Sequence, residues 1–297
     1  MQYLTRTNDL RDDVKCTELI NTISMFIKDH ADAVVIGMSG GVDSTILTAL
    51  SINALGKDSV VGLHLPAVSS DINGDKFNAR SVKTAKHFGI TNHSIDVGGA
   101  CVDIINQINY GVLGYETSDK LTVGNTRARL RMTALYAVAY EIGLRNPRKR
   151  VRVINCCQIS ETLLGFETRY GDGAGDMSPL ASLLKQEVYD LADHFIFTNI
   201  LREEDIDRVP SPGLYEGHTD EEELGFSYNQ MAPASLAIIK GRGYSALEGK
   251  TMDDLKGYVE IAGVNYDECA NTVSNKCLRN LFKSLPMPSL NLDSRLG

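Results

Sequence analysis

Ser39-Gly40-Gly41-Val42-Asp43-Ser44 lies between an apolar run, Ala33-Val34-Val35-Ile36-Gly37-Met38, and a helix-like stretch from Thr45 to Leu55. A buried strand thus delivers the chain to a tight turn. Two glycines let the backbone approach a ligand, and a helix N-terminus then aims free N–H groups and its positive dipole end at whatever sits there. That geometry binds phosphate. The commoner phosphate loop, G-x-x-x-x-G-K-[ST], adds a lysine; here none follows the glycines, so the loop brings donors and no cation. Ser39, Ser44 and Thr45 add hydroxyls. Bare phosphate would repel Asp43, so its carboxylate makes sense as a ligand for Mg²⁺. A loop of amides and hydroxyls with one metal carboxylate suits an enzyme that releases pyrophosphate and handles an adenylate.

Two further segments carry chemistry-bearing side chains. In Gly124-Asn125-Thr126-Arg127-Ala128-Arg129-Leu130-Arg131-Met132, read as the start of a long helix, Arg127 and Arg131 are neighbours four apart and Arg129 points elsewhere. The pair is either a solvated face or an anion site; arginines near a helix start oppose the dipole, which favours an anion nearby. Leu130, Ala134, Ala137 and Val138 read as that helix's buried stripe. The second segment runs from Ser160-Glu161 to Asp172-Gly173-Ala174-Gly175-Asp176. Glu161 is either a surface glutamate or a second carboxylate sharing Mg²⁺ with Asp43, since Mg²⁺ is usually held by one or two carboxylates plus substrate phosphates. The glycines between Asp172 and Asp176 make a turn presenting two carboxylates, without the spacing of a calcium loop.

These residues need a frame. Strand-like runs at Ala33–Met38, Val60–Leu65, His93–Val97 and Val151–Cys157 alternate with helix-like runs near Glu18–His30, Thr45–Leu55, Asp75–Phe88 and Asn125–Ile142. Such alternation predicts an α/β fold, a doubly wound parallel sheet flanked by helices in the Rossmann-like manner, with a helical C-terminal segment. Ligands in such sheets sit outside the carboxyl ends of strands where the strand order reverses. The stretches Ala67–Gly74 and Val209–Glu223 read as mobile loops that fold over the site. At 297 residues and 43% hydrophobic the chain buries a full core. A net charge of −8 argues against nucleic acid as a partner. Six cysteines without a C-x-x-C pair argue against zinc and for reduced thiols in a cytoplasm. No signal-like or 18-residue apolar stretch points to a membrane.

Ser-Gly-Gly-Val-Asp-Ser, Gly-Asn-x-Arg-Ala-Arg-x-Arg-Met, Ser-Glu-x-x-x-Gly and Arg-Tyr-Gly-Asp-Gly-x-x-Asp-x-x-Pro-Leu, in that order, resemble ammonia-dependent NAD synthetase, a family of the ATP-pyrophosphatase superfamily. The motifs span Gly37 to Pro212, and the length fits one synthetase domain over 1–297 with no glutaminase domain. The resemblance implies ATP-dependent amidation of deamido-NAD by ammonia through an adenylate. It implies that Gly37, Met38, Ser39, Gly40, Gly41, Val42, Asp43 and Ser44 hold the ATP phosphates, that Asp43 and Glu161 hold Mg²⁺, and that Lys185 and Ser211 contact ATP. Cys156 stands where a threonine contacting ATP is usual, and His64, Ser70 and Gly213 are further departures. Arg129, Arg169 in place of a lysine, Asp176 and, on a loose match, Lys283 would touch deamido-NAD. Asp172 or Asp176 would take a proton from ammonium. Family members are homodimers with the dinucleotide at the interface. The alternatives are another adenylating amidotransferase, such as the synthetase part of a GMP synthetase, and a nucleotide-binding sensor without turnover.

Overall fold

A computed structural model describes residues 13–67, 74–117, 119–206, 219–220, 224–240, 250–251, 253–254, 273 and 275–284. Four parallel strands, β1 (Ala33–Gly37), β2 (Val60–His64), β3 (Thr91–Ser94) and β4 (Val151–Ile154), form one sheet in the order β3-β2-β1-β4. The chain steps outward from β1 to β3 and then returns to the other side of β1. The reversal therefore falls between β1 and β4, which pair from Ala33↔Val151 to Ile36↔Ile154. Their carboxyl ends release the glycine loop and the Asn155–Glu161 segment side by side.

Strand β1 reads as an unbroken apolar run because both faces are covered. Val34 and Ile36 pack into one core with helices α1 (Asp13–His30), α2 (Val42–Leu55) and α7 (Lys185–Phe197), through Ile27, Ile46, Leu50, Leu191 and Phe195. Val35, on the opposite face, meets Leu63, Val153 and the Met132, Leu135 and Ala139 side of α5 (Lys120–Arg145). A separate cluster joins Leu163 and Leu164 of α6 (Ile159–Leu164) to Tyr228, Met231 and Ile238 of α8 (Tyr228–Lys240) and Cys277 of α9 (Asn275–Ser284). The remaining helices are α3 (Gly74–Phe88) and α4 (Gly98–Ile108). Among the described residues no helix is long and apolar enough to cross a membrane.

Three local expectations are corrected. Strand β3 ends at Ser94, so Ile95 and Val97, whose apolar character placed a strand at His93–Val97, lie past it; their N–H groups still bond the carbonyls of His64 and Pro66. Helix α5 begins at Lys120, where the Asp119 carboxylate accepts the N–H groups of Leu121 and Thr122. Arg127, Arg129 and Arg131 therefore lie in the helix interior, and the dipole argument about them lapses, because that field fades within the first turn. The same helix buries Gly124, Met132, Leu135 and Ala139, while Ala137 is exposed. Ala134 and Val138 of the expected stripe do pack against the core around Val35, so periodicity found part of the buried side and misplaced Ala137.

Candidate active site

The glycine loop is built for a ligand. Gly40 has φ +87°, a left-handed conformation that a side chain would strain. Gly41 is the N-cap of α2 and no side chain caps the helix, so its first turn has no internal competitor for an anion. The Ser39 and Ser44 hydroxyls lie 3.1 Å apart; the Gly41 N–H donates to Ser39 Oγ, and Ser44 Oγ donates to the Gly41 carbonyl. The buried Thr45 Oγ1 has no hydrogen-bond partner. Met38 is buried, its N–H bonded to Leu63, and Gly37 ends β1 with Leu135 beside it. Val42 is buried at the first position of α2.

Across the β1/β4 boundary three charges converge. Lys185, the first residue of α7, is 2% exposed, and its ammonium bridges two carboxylates: Nζ lies 2.5 Å from Asp43 Oδ2 and 3.6 Å from Glu161 Oε1. Burial works to lower the Lys185 pKa, but Asp43 and Glu161 outweigh it and hold the group charged. Glu161 is pushed up to about 8 by burial, with Asp43 and Asp220 adding to the rise and Lys185 opposing it. Asp43 Oδ1 is buried without a hydrogen-bond partner. Two carboxylates sharing one recess, one with an orphaned oxygen, are a donor set for a hard divalent cation completed by phosphate and water oxygens. Among the described residues no cluster of three or more His, Cys, Asp or Glu forms a fuller cage. The Cys156 thiol lies in the same recess; burial, then Asp43 and Glu161, push its pKa up, so it stays a neutral SH.

The Gly171–Asp176 turn is anchored to the sheet. Asn155 Nδ2 donates to the carbonyls of Asp172 and Ala174, the Asp176 N–H bonds Val153, and the Val153 N–H donates back to Asp176 Oδ2. Part of the Asp176 carboxylate is thus committed to the fold, and its other oxygen accepts from Tyr136 at 3.4 Å. Asp172 keeps exposed surface yet stands deep among protein atoms, as a group lining a cleft does; burial raises its pKa and the Thr168 N–H bond opposes this. Arg129 is exposed, and its Nε donates to the Arg169 carbonyl at 3.2 Å, which joins two of the residues expected at the dinucleotide. The Arg169 guanidinium lies over the rings of Tyr170 and Phe282. The Lys283 ammonium is bound by the carbonyls of Gly165 and Glu167.

Sequence reasoning missed Tyr228, Asp220 and Glu167. Tyr228 donates to Asp220 Oδ2 at 2.9 Å, and its ring lies 5.8 Å from Lys185 Nζ, as does that of Tyr189. Nothing in the spacing of Asp220 and Tyr228 points to Lys185; only the tertiary fold brings α8 to it. Glu167 is pushed up to about 7 by burial and the nearby Asp172, with Lys283 opposing. His64 is buried at the end of β2 with Nδ1 3.2 Å from Ser81 Oγ, and burial lowers its pKa. Ser211, Ser70, Gly213 and nearly all of the two proposed covering loops lie outside the described residues.

The sequence profile of the NAD synthase family matches residues 16–242. The "NH(3)-dependent NAD(+) synthetase" of Methanosarcina acetivorans is 34% identical over 277 residues, covering 91% of this chain and 97% of that protein. The solved NH3-dependent NAD synthetase of Campylobacter jejuni, in complex with the nitrate ion, superposes with a TM-score of 0.63 at 24% identity, covering 94% of this chain and 99% of that one. The NMN synthetase of Francisella tularensis superposes with a TM-score of 0.70 at 22% identity, over 93% and 99% of the two chains, which shows the shared fold. With the glycine loop, the carboxylate pair and the Arg-Tyr-Gly-Asp turn in place, the chain belongs to the NAD synthase family.

Proposed function

We propose that this protein is a C–N ligase that makes NAD from deamido-NAD, ATP and ammonia, with AMP and pyrophosphate as the other products. The observation that carries the reading is the convergence of Asp43, Glu161 and Lys185 beside an uncapped, lysine-free glycine loop at the strand-order reversal. The loop amides and hydroxyls grip the β- and γ-phosphates, and Lys185 faces the charge that grows on the departing pyrophosphate. Asp43 and Glu161 hold Mg²⁺, which when bound neutralises phosphate charge. The nicotinate carboxylate attacks the α-phosphorus, and ammonia then displaces AMP from the adenylate. Ammonium has no lone pair; Asp172, a stronger base for its burial, takes its proton.

Arg129, Arg169 and the exposed Asp176, whose carboxylate also accepts from Tyr136, bind the dinucleotide. Arg129, Thr133, Tyr136, Ala137, Tyr140 and Leu144 are exposed at helical spacing along one face of α5. Val102 and Ile104 on α4, which packs against α5, are exposed as well. An apolar face of this kind that ends on a substrate arginine supports a homodimer with deamido-NAD at its interface. The free thiols of the described cysteines suit a reducing cytoplasm.

Pyrophosphate release from ATP is measured with deamido-NAD or xanthosine monophosphate as the acid, and NAD formation with ammonium or glutamine as the nitrogen source. Release with deamido-NAD and NAD formation with ammonium are expected. Release triggered by xanthosine monophosphate, or by neither acid, overturns the reading.

A further inference from the structure

Gln158 is fully buried directly before α6, yet one end of its side-chain amide has no hydrogen-bond partner. Its Oε1 accepts the Ser160 N–H at 2.6 Å. A backbone N–H only donates, so this bond fixes which end of the amide is oxygen. The other end, Nε2, is the orphaned one, and it presents two N–H donors. Buried polar groups are almost always paired, so a donor left over in a fully buried side chain calls for a reason.

The local geometry says which group Nε2 serves. Gln158 is the N-cap of α6, and Glu161 lies three residues on, in the first turn. This is the spacing of a capping box, in which the two side chains converge on the start of the helix. In a capping box the glutamate turns back to the N-cap backbone; here the Glu161 carboxylate reaches toward Lys185, with Oε1 3.6 Å from the ammonium. The Gln158 amide faces that carboxylate and favours its charged form, as an N–H donor does. The residues between them tie α6 to α7. The Ile159 N–H donates to the Leu183 carbonyl at 2.9 Å, and the Lys185 N–H donates to Ser160 Oγ at 3.2 Å. The backbones that carry Glu161 and Lys185 are thereby fixed to each other. What remains to be set is the direction of the glutamate side chain.

We propose that the Gln158 amide orients the Glu161 carboxylate toward Asp43, so that Gln158 is a positioning residue for the metal site and acts on the cation only through Glu161. A neutral amide suits the task. It donates to the carboxylate as an ammonium would, and it brings no positive charge to compete with a divalent cation. The charged groups around Glu161 are Lys185, Asp43 and Asp220. The proposal rests on the reading of Glu161 as a Mg²⁺ ligand.

Gln158→Glu and Gln158→Met are compared with the unaltered protein. Gln158→Glu keeps an oxygen for the Ser160 N–H and puts an acceptor where Nε2 stands, whereas Gln158→Met keeps the length and loses both functions. The readouts are Mg²⁺-dependent ATP binding by calorimetry, the Mg²⁺ concentration at half activity, kcat and KM for deamido-NAD, and the melting temperature. Groups that orient a metal ligand typically change affinity or activity by roughly 10–100-fold when removed. Both variants are expected to weaken Mg²⁺-dependent ATP binding and raise the Mg²⁺ requirement within about that range, with KM for deamido-NAD moving less than about threefold. Only Gln158→Met also loses the cap, so it alone should melt lower. In a Glu161→Gln background Gln158→Met should weaken binding little further, because its effect runs through Glu161. A residue that merely caps α6 gives a different split, with Gln158→Glu unaltered in Mg²⁺ dependence and Gln158→Met less stable; that result overturns the proposal. Tighter Mg²⁺-dependent ATP binding by Gln158→Glu, a raised KM for deamido-NAD with unaltered Mg²⁺ dependence, or full additivity with Glu161→Gln does the same. Should Gln158→Glu not fold, Gln158→Met decides by the calorimetric readout and by its additivity with Glu161→Gln. Failure of the unaltered protein to make NAD would instead overturn the proposed function, and the calorimetric comparison would still decide the role of Gln158.

Discussion

Lys185→Met removes a buried cation while keeping most of the side chain's length and apolar bulk. At an effective dielectric of about 20, unit charges at the two observed separations, 2.5 Å to Asp43 and 3.6 Å to Glu161, attract by roughly 7 and 5 kcal/mol. Desolvation of the lysine and both carboxylates takes back much of that. Removing one partner of a buried ion pair nevertheless costs about 3–5 kcal/mol, because the remaining charges stay buried and uncompensated. The loss depends on pH with a definite sign. The folded pKa of Lys185 is raised above its ordinary 10.5, so its stabilisation is fully present below that pH. Glu161, raised to about 8, is mostly protonated at pH 7 and mostly ionised at pH 9, so Lys185 faces one carboxylate at pH 7 and two at pH 9. The variant's deficit should therefore grow between pH 7 and pH 9, by about 1 kcal/mol or more, since one pKa unit corresponds to about 1.4 kcal/mol. Urea denaturation at both pH values measures this. Pyrophosphate release should fall by roughly 10²–10³ where folded protein remains, the usual loss for a group stabilising developing charge. Equal stability of the two proteins at both pH values, with normal pyrophosphate release, refutes the reasoning.

Asp43→Asn and Glu161→Gln should each slow turnover by about 10²–10³ and raise the Mg²⁺ needed for half activity; because both serve one ion, the double variant should lose less than the two singles combined, and strict additivity sinks the shared site. Glu167 resists ionisation in the fold up to about pH 7, against an ordinary value of 4.5, so the folded state loses stability as pH rises through that window. Glu167→Gln should therefore melt higher than the unaltered protein at pH 8, by about 1–3 kcal/mol of stability, and equally at pH 4; a gain that does not depend on pH contradicts the assignment. Tyr140→Asp, on the exposed α5 stripe, should convert a dimer to a monomer in sedimentation and raise the KM for deamido-NAD; a variant that remains dimeric removes that stripe from the interface.

Much of the frame was legible because each element had one strong cause. Strand β1 is covered on both faces and so reads as an unbroken apolar run, and two glycines with a carboxylate at its end have few other uses. Glu161 became a partner for Asp43 through topology, since strands flanking a reversal point discharge their loops at one edge. Helix α4 escaped notice because its opening Gly98-Gly99 reads as a break, although it lies within the α4 helix that runs to Ile108. The α5 face was read only in part, with Ala134 and Val138 against the core and Ala137 outside it, because that helix has two apolar sides, one against the sheet and one open. Lys185 was identified by family resemblance only. A lysine is usually a surface residue, and nothing local says that this one is 2% exposed between two carboxylates. Glu167 and the Tyr228–Asp220 pair had no local signal at all, because their meaning lies in contacts between segments distant in the chain.

The thiol at Cys156 tests whether a departure from the family pattern is compatible with the chemistry. A thiolate in that recess would be a third anionic ligand beside Asp43 and Glu161, soft where the proposed ion prefers oxygen. The fold prevents this with the same charges that build the site. Burial disfavours the thiolate, and the two carboxylates add to the penalty more than Lys185 relieves it. Cys156 therefore keeps its proton and offers a weak donor at the position where the resemblance leads one to expect a hydroxyl. Its neighbour Cys157 is tied differently, with Sγ donating to the Asp172 carbonyl at 3.2 Å, so it helps hold the turn that carries the proposed base. The adjacent thiols thus face two parts of the proposed site, the carboxylate recess and the Gly171–Asp176 turn. Burial first, and then the surrounding carboxylates, keep both neutral.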